Sequence, residues 1–398
     1  MNTSNITIYK IPFGTEAWHR YRTIGLSPED AAQFNCPQFK GGVGSSEGGT
    51  ILGLTKKYRP CTQEIFHHKV GTAFPTQTAN RAMLRGKILE SVVATIWQLS
   101  SSDDDAWVQV YEEYMNGNRE VRNMLAVRKA TKRNAYYVNE EYPWLFCSLD
   151  YFAEKGTPGI LDGKIHDEGF PVEIKTVNQN YARLWEAGIP VYHIVQLNQE
   201  MICTNSEYGE IAVLFPDDFT FKVFPFYRDK ELCDRIIHWS KIFWDKVLES
   251  REAKKQMDNF SVKGNKDKAD EMQSIIDSNE PEPDDGEGYM EYIKERYTQS
   301  IVSTEGNSQM YDESMTYKLC AGVSALLDEK QTGIKNRFLK TLEATGAAEI
   351  TFDALGKITF NADKNGKRTL RIDTKSLYPI KQKAEDEFNK IDFNLNPL

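Results

Sequence analysis

The segment Pro171-Val172-Glu173-Ile174-Lys175-Thr176 reads as a β-strand. On a strand successive side chains face opposite sides, so Glu173 and Lys175 project together and Ile174 away from them. A carboxylate and an ammonium on one face can serve hydrolysis. The carboxylate holds a divalent metal ion, and the lysine orients or deprotonates the attacking water. A second carboxylate, Asp150, ends the preceding strand in Cys147-Ser148-Leu149-Asp150, and residues 153–170 are long enough to bring it beside Glu173 on a neighbouring strand. Glu90, in Arg85-Gly86-Lys87-Ile88-Leu89-Glu90, could supply a third acid. The acid-x-lysine pair alone says little. It recurs at Asp162 and Lys164, Glu252 and Lys254, Asp328 and Lys330, and Asp373 and Lys375, where a solvated charge pair is the ordinary reading. At 173 the context differs: an apolar strand, an upstream Ser-x-Asp, and a following helix bearing Gln196 and Gln199.

The elements that must position these residues form an α/β pattern. Residues 47–54 read as a short helix N-capped by Ser45 or Ser46, after the Gly-rich run 41–49. Leu84, Ile88, Val92 and Ile96 recur at helical spacing, which predicts a buried helix over 81–99. Strands are expected at 108–114, 126–128, 145–152 and 172–176, then a helix over 192–203. A hairpin of 211–215 with 219–226 should turn at Pro216-Asp217-Asp218. A long helix follows over 229–258. Residues 277–291 hold seven acidic residues and no basic one, with Pro281 and Pro283, and read as a solvated linker or loop. Residues 310–345 are helical, and 349–373 form a hairpin around Asn365-Gly366. The expected domains are a core over 1–228, a helical extension over 229–345, and a C-terminal β-hairpin and tail over 346–398.

Several motifs in order resemble the YqaJ-type viral recombinases, relatives of phage lambda exonuclease within the PD-(D/E)xK nucleases. Glu16-Ala17-Trp18-His19 with Arg22 resembles the family's opening EWHxxR element. Gly42-Val43-Gly44-Ser45-Ser46-Glu47, followed by Ile51-Leu52-Gly53, resembles its Gly-rich signature. Arg85-Gly86 to Glu90 resembles the RGxxLE helix, Ser148-Leu149-Asp150 the S-x-D strand end, and Glu173-Ile174-Lys175 the ExK strand. Tyr192-His193-Ile194-Val195-Gln196, with Gln199, resembles the YxxQxxxQ helix. These motifs span 16–205, about half of the chain. Family members run almost directly from the Trp-His element into the Gly-rich signature, whereas this chain inserts residues 23–40.

The resemblance implies a restriction-endonuclease-like core, a central mixed β-sheet flanked by helices, with a helical extension ending in a β-hairpin. It also implies an exonuclease acting on the ends of double-stranded DNA, 5′ to 3′, to leave 3′ tails for phage-type recombination. By motif position, Asp150, Glu173, the Ile174 carbonyl and Glu90 would hold Mg²⁺ or Mn²⁺, as two ions. A two-metal clamp suits phosphodiester hydrolysis because it stabilises both attacking and leaving oxygens. Lys175 would activate water and Gln196 would support the site by hydrogen bonding. Arg22, Ser46 and Ser148 sit where relatives hold the 5′-terminal phosphate, and hydroxyls with a guanidinium fork suit an anion. A ring-shaped homo-oligomer, a trimer or tetramer, and a phage single-strand annealing partner of the RecT/Beta type are also implied. A restriction-type endonuclease, or a DNA-end-binding protein with a relic nuclease site, are the alternatives. The intact acid, acid and lysine set speaks against the relic.

Partner chemistry is also written in the charge. The chain has 398 residues, with Lys+Arg 49 against Asp+Glu 58 and a net charge of −9. That total argues against a histone-like nucleic-acid coat. Its distribution is uneven, since residues 121–138 contain no acid. Arg122, Arg128, Lys129, Lys132 and Arg133, followed by Tyr136 and Tyr137, would suit a groove that tracks phosphates and stacks unpaired bases. The same run also suits a solvated strand edge guarded by cations. The six cysteines show no CxxC spacing and the six histidines no HExxH, so a zinc or iron–sulfur clamp is not expected. With no apolar run near the roughly 20 residues of a bilayer span, and no leader-like apolar start, a soluble protein of the bacterial or phage-infected cytoplasm is expected.

Overall fold

The computed structural model describes residues 5–36, 41–54, 60–73, 81–100, 106–118, 120, 128–160, 163–178, 182, 185, 188–217, 219–283, 286–296, 305–352, 356–362 and 368–374. The chain divides into two compact units, Met1–Thr298 and Gln299–Leu398.

The first unit is a mixed α/β assembly of sheets flanked by helices. One sheet has the order β1 (Ile6–Tyr9), β4 (Tyr136–Asn139), β5 (Leu145–Ser148), β2 (Val43–Gly44). The other has the order β11 (Thr220–Tyr227), β10 (Tyr208–Phe215), β9 (Phe170–Thr176), β6 (Tyr151–Ala153), β3 (Ala130–Lys132). Between β6 and β9 lies a small antiparallel pair, β7 (Thr157–Pro158) and β8 (Ile165–His166). Residues 145–152 are therefore not one strand. The chain leaves the first sheet after Ser148 and enters the second at Tyr151. Asp150 sits in the break, where its Oδ2 accepts the Ile174 N–H at 3.0 Å instead of the ladder continuing.

Strand β9 is the axis of the second sheet. It runs parallel to β10, with Glu173 beside Ile211 and Lys175 beside Val213, and antiparallel to β6. A parallel pair needs a crossover, and it is made by the helix α7 (Val191–Thr204). Pleat alternation then sorts the side chains. Val172, Ile174, Ala212 and Leu214 pack with Val93 and Trp97 of the helix α5 (Arg81–Leu99). Ile211 and Val213 pack with Leu197 and Met201 of α7 on the opposite face. Glu173 and Lys175, in register with Ile211 and Val213, share the α7 face.

The helix α5 forms as its periodicity predicts, but only its C-terminal half is core. Ile96 and Trp97 are buried, whereas Leu84 and Ile88 are 55% and 62% exposed. Residues 108–114 belong to a helix, α6 (Ala106–Met115), rather than a strand. The alternation of Val108, Gln109 and Val110 mimics a strand, yet Trp107, Val110, Tyr111 and Tyr114 fall at helical spacing, and Tyr111 packs on the α5 core. The strand expected at 126–128 begins instead at Ala130. Residues 126 and 127 lie outside the described residues, as does Arg122.

Three more helices brace the Gly-rich signature. Helix α1 (Glu16–Arg22) buries Trp18 against Tyr136, ring centroids 4.1 Å apart. Helix α3 (Ser45–Ile51) starts two residues before the expected 47, with both serines inside it, and ends at Ile51. Gly44 is its N-cap, and the Glu47 carboxylate accepts the Gly44 N–H at 2.7 Å. The glycines serve close approach, since a Cβ at Gly49 would lie 2.7 Å from the Tyr192 Cβ on α7. Helix α4 (Thr62–Val70) carries Lys69, fully enclosed, which pairs with Glu47 at 2.8 Å and donates to the carbonyls of Gly42 and Arg22. Insertion 23–40, with its own short helix α2 (Pro28–Gln33), therefore leaves and returns at a fixed clasp. Arg251 adds to it by donating to the Thr23 carbonyl at 2.6 Å.

Helix α8 (Lys230–Val262) buries Ile236, Phe243, Trp244 and Val247 in the same core as Leu145, Val195 and Ile202, so it belongs to the first unit. The acidic stretch 277–291 is not a free linker. Helix α9 (Lys266–Asn279) runs into it and α10 (Glu287–Arg296) runs out of it. Between them His67 Nε2 lies 3.1 Å from a Glu280 carboxylate oxygen, and Gln63 donates to the Pro281 carbonyl at 3.0 Å. Acidic composition masked a segment anchored through its backbone.

The second unit combines α11 (Ser308–Thr345) with an antiparallel sheet of β12 (Glu349–Thr351), β13 (Gly356–Ala362) and β14 (Arg368–Thr374). The expected hairpin is β13 with β14, joined by a third strand; its Asn365-Gly366 turn lies outside the described residues. Among the described residues no helix is long and apolar enough to cross a membrane.

Candidate active site

Strand β9 supplies Glu173 and Lys175, the sheet-to-sheet break supplies Asp150, and α7 supplies Gln196. The Lys175 ammonium contacts Glu173 Oε1 and lies 3.3 Å from Gln196 Oε1. Gln196 Nε2 donates to Glu173 Oε1 at 2.6 Å. Asp150 is tied to the same strand through the Ile174 amide. Four of the expected residues thus meet at one place, and Glu173 is buried at 2% exposure.

Electrostatics there are unbalanced. Burial and the neighbouring Glu173 charge push the Asp150 carboxyl well above the usual range, against the pull of Lys175. Burial opposes the Lys175 charge, but Glu173 and Asp150 outweigh it and hold the ammonium above its ordinary pKa. A further acid, Glu200, was not anticipated. It is fully buried on α7, and burial together with Glu173 and Asp150 raises its carboxyl well above the ordinary range. Its Oε1 accepts from Gln196 Nε2 and from Ser45 Oγ, each at 3.2 Å. A signal for it existed. Counted from Gln196, a position four residues on lies one turn along the same face, and this chain has Glu200 there. Gln199, which the pattern counted from Tyr192 reaches, points elsewhere and donates to the carbonyls of Val43 and Phe146 at 2.8 and 3.2 Å.

Glu90 approaches from α5. It pairs with Lys132 of β3 at 2.7 Å and contributes to the raised Asp150 pKa. Arg22 donates to Ser46 Oγ at 3.0 Å, joining the opening motif to the start of α3 despite the insertion. Ser148 is half-buried at the end of β5, beside the break.

The basic run divides. Lys129 is exposed and pairs with Glu154 at 3.1 Å; Lys132 and Arg133 are also at the surface. Arg128 is not part of that surface. It is buried, its guanidinium 4.1 Å from the Trp97 ring centre and 2.5 Å from Glu210. Nor can Tyr136 and Tyr137 stack on bases, since both are core residues at 0% and 7% exposure.

Among the described residues no three His, Cys, Asp or Glu side chains already form a metal-holding group. Glu173 Oε1 is engaged by Lys175 and Gln196, and Glu90 by Lys132. The donor set nonetheless suits a hard divalent cation. Glu173 Oε2 is buried with no hydrogen-bond partner among the described residues, and the acids Asp150, Glu173 and Glu200 have one ammonium, Lys175, to offset them. An unpartnered carboxylate oxygen in such a cluster is stabilised by added positive charge.

Two carboxylates and a lysine therefore meet at the central strand of a mixed sheet, Glu173 and Lys175 on the strand itself and Asp150 from the break beside it. Residues 36–207 match the family model of the YqaJ-like viral recombinase domain. Comparison with curated protein sequences finds no match. Among solved structures the chain is similar to an alkaline exonuclease, LHK-Exo, from Laribacter hongkongensis, at 18% identity and TM-score 0.34, covering 54% of this chain and 92% of that one. The same enzyme in complex with dAMP gives 14% identity, TM-score 0.35 and the same coverage.

Proposed function

We propose that this protein is a divalent-cation-dependent DNA exonuclease of the lambda-exonuclease type. It degrades one strand of linear duplex DNA, 5′ to 3′, and leaves 3′ single-stranded tails for phage-type recombination. The observation that carries this reading is the Asp150, Glu173, Lys175 and Gln196 cluster with its unpartnered Glu173 Oε2, set within a YqaJ-like domain. Asp150, Glu173, the Ile174 carbonyl and Glu90 would hold Mg²⁺ or Mn²⁺, as two ions. When bound, the cation supplies positive charge against the scissile phosphate and its developing oxyanion.

The remaining roles belong to the chain. Lys175 is kept as an ammonium by its acidic neighbours, so it orients the attacking water and offsets charge rather than taking a proton. Gln196 donates to Glu173 and accepts from Lys175, fixing both. Arg22 and Ser46, already paired, with Ser148, receive the terminal phosphate. Lys132, paired with Glu90, and the surface cations Lys129 and Arg133 serve the DNA backbone. A homo-oligomeric ring and a phage single-strand annealing protein complete the proposal.

The test uses the purified protein with Mg²⁺, linear 5′-phosphorylated duplex, closed circular duplex, and Lys175→Ala alongside. Loss of the linear substrate, survival of the circle and an inactive variant are expected. Cutting of the circle would support a restriction-type endonuclease. End binding without cutting would support a relic site.

A further inference from the structure

We propose that Glu200 is a positioning residue that sets the orientation of the Gln196 amide and ties the catalytic strand to the start of α3. The inference rests on the nuclease reading above and deepens it.

A glutamine amide can be turned over end for end at little cost unless its partners forbid it. Gln196 has three polar partners. Lys175 can only donate, and it faces Gln196 Oε1 at 3.3 Å. Glu173 Oε1 lies 2.6 Å from Gln196 Nε2, and Glu200 Oε1 lies 3.2 Å from the same nitrogen. The two amide hydrogens thus meet two carboxyl oxygens. Without Glu200, one of them would lose its acceptor in a partly buried place, and only Glu173 and Lys175 would hold the amide.

Glu200 reaches further than Gln196. Its Oε1 also accepts from Ser45 Oγ at 3.2 Å, and Ser45 is buried at the start of α3. The next residue, Ser46, accepts from Arg22. One carboxyl oxygen therefore links the residues that contact Glu173 and Lys175 to the segment proposed to receive the terminal phosphate. The link holds in either protonation state, because a proton on Oε2 leaves Oε1 an acceptor. Oε2 is buried with no hydrogen-bond partner among the described residues, so nothing in the described contacts requires a second carboxyl oxygen. Oε1 alone makes the contacts, and a carbonyl oxygen in its place would make the same ones.

That difference between the two oxygens gives the test. Glu200→Gln keeps an acceptor at the Oε1 position and places its NH₂ at the unpartnered one. Glu200→Met keeps the volume and removes the acceptor. Each variant is assayed on linear duplex with Mg²⁺ for kcat and KM. Side-chain amide resonances are recorded in parallel by ¹H–¹⁵N correlation, with Gln196 assigned through Gln196→Ala. Outer partners of such sites change activity by roughly 10–100-fold, so Glu200→Met should lose about that factor in kcat with KM for DNA unchanged. It should also shift or broaden the Gln196 amide signal, and Glu200→Gln should restore both readouts. Full kcat in Glu200→Met, or an unmoved Gln196 amide in that variant, overturns the proposal. So does a Glu200→Gln variant as impaired as Glu200→Met. If the parent protein cuts no DNA, the nuclease reading fails while the amide signal still decides the role of Glu200.

Discussion

Adjacent strands of one sheet carry two buried glutamates that are treated in opposite ways. Glu210 on β10 is fully enclosed and faces α5. Its Oε1 accepts from the Ile160 N–H at 2.8 Å and the Tyr208 hydroxyl at 2.7 Å. Its Oε2 accepts from the Trp97 indole at 2.7 Å and from Arg128 at 2.5 Å. Every oxygen is satisfied and the charge has a cation. Glu173, on the α7 face of β9, shares its cation with Asp150 and Glu200, and one oxygen lacks a partner among the described residues. The first carboxylate is complete as it stands, and it holds segments together. The second leaves a need that a ligand can meet. Burial alone does not mark a working carboxylate; an incomplete set of partners does.

Truncating the complete site should have the largest effect on folding. Glu210→Ala removes four hydrogen bonds and strands Arg128 and the Trp97 indole in the core. Breaking a buried pair of this kind costs about 3–5 kcal/mol, read as a lower denaturation midpoint, with kcat per folded molecule little changed. Asp150→Asn should do the reverse. Asp150 already resists ionisation, because burial and Glu173 favour its neutral form, and asparagine can still accept from Ile174. Stability without divalent cation should hold or rise by about 1 kcal/mol, while nuclease activity falls roughly a thousandfold, about 4 kcal/mol in barrier. A variant of Asp150 that unfolds the protein, or one of Glu210 that spares it, would erase the distinction.

The same contrast explains what was legible in the sequence. Glu173, Lys175 and Asp150 were visible because strand periodicity and an upstream Ser-x-Asp determine which side chains share a face. The parallel crossover through α7 then brings Gln196 to them. Glu210 and Arg128 were not legible as partners. They are 82 residues apart, and only the pairing of β10 with β9 and the packing of α5 bring them together. A basic run read along the chain therefore mixed surface lysines with one core arginine. The reading of 108–114 as a strand failed for a local reason, since three residues of alternation outweighed a longer helical spacing. The acidic stretch misled because its anchoring runs through backbone carbonyls, which composition does not register. Glu200 was missed because the pattern counted from Tyr192 ends on Gln199, whereas the helical turn that matters starts at Gln196 and ends on Glu200.

His193 offers a finer test of the α7 face. It lies one turn before Leu197, its ring centroid 5.3 Å from that of Trp185 and 4.3 Å from that of Tyr192. Burial, and secondly the charge of Lys175, lower its pKa from 6.5 to about 2. The folded protein therefore keeps this imidazole neutral where the unfolded chain takes up a proton. The sign follows from linkage: below pH 6.5 the unfolded state binds the extra proton, so stability falls as pH falls. Between pH 8 and pH 5 this group alone should cost about 2 kcal/mol. His193→Gln should remove that share, seen as a shallower decline in denaturant-derived stability over the same range. Identical slopes in parent and variant would mean that His193 gains a proton without leaving its place. A second cation would then stand beside Lys175, and the α7 face would no longer lack positive charge as the comparison with Glu210 requires.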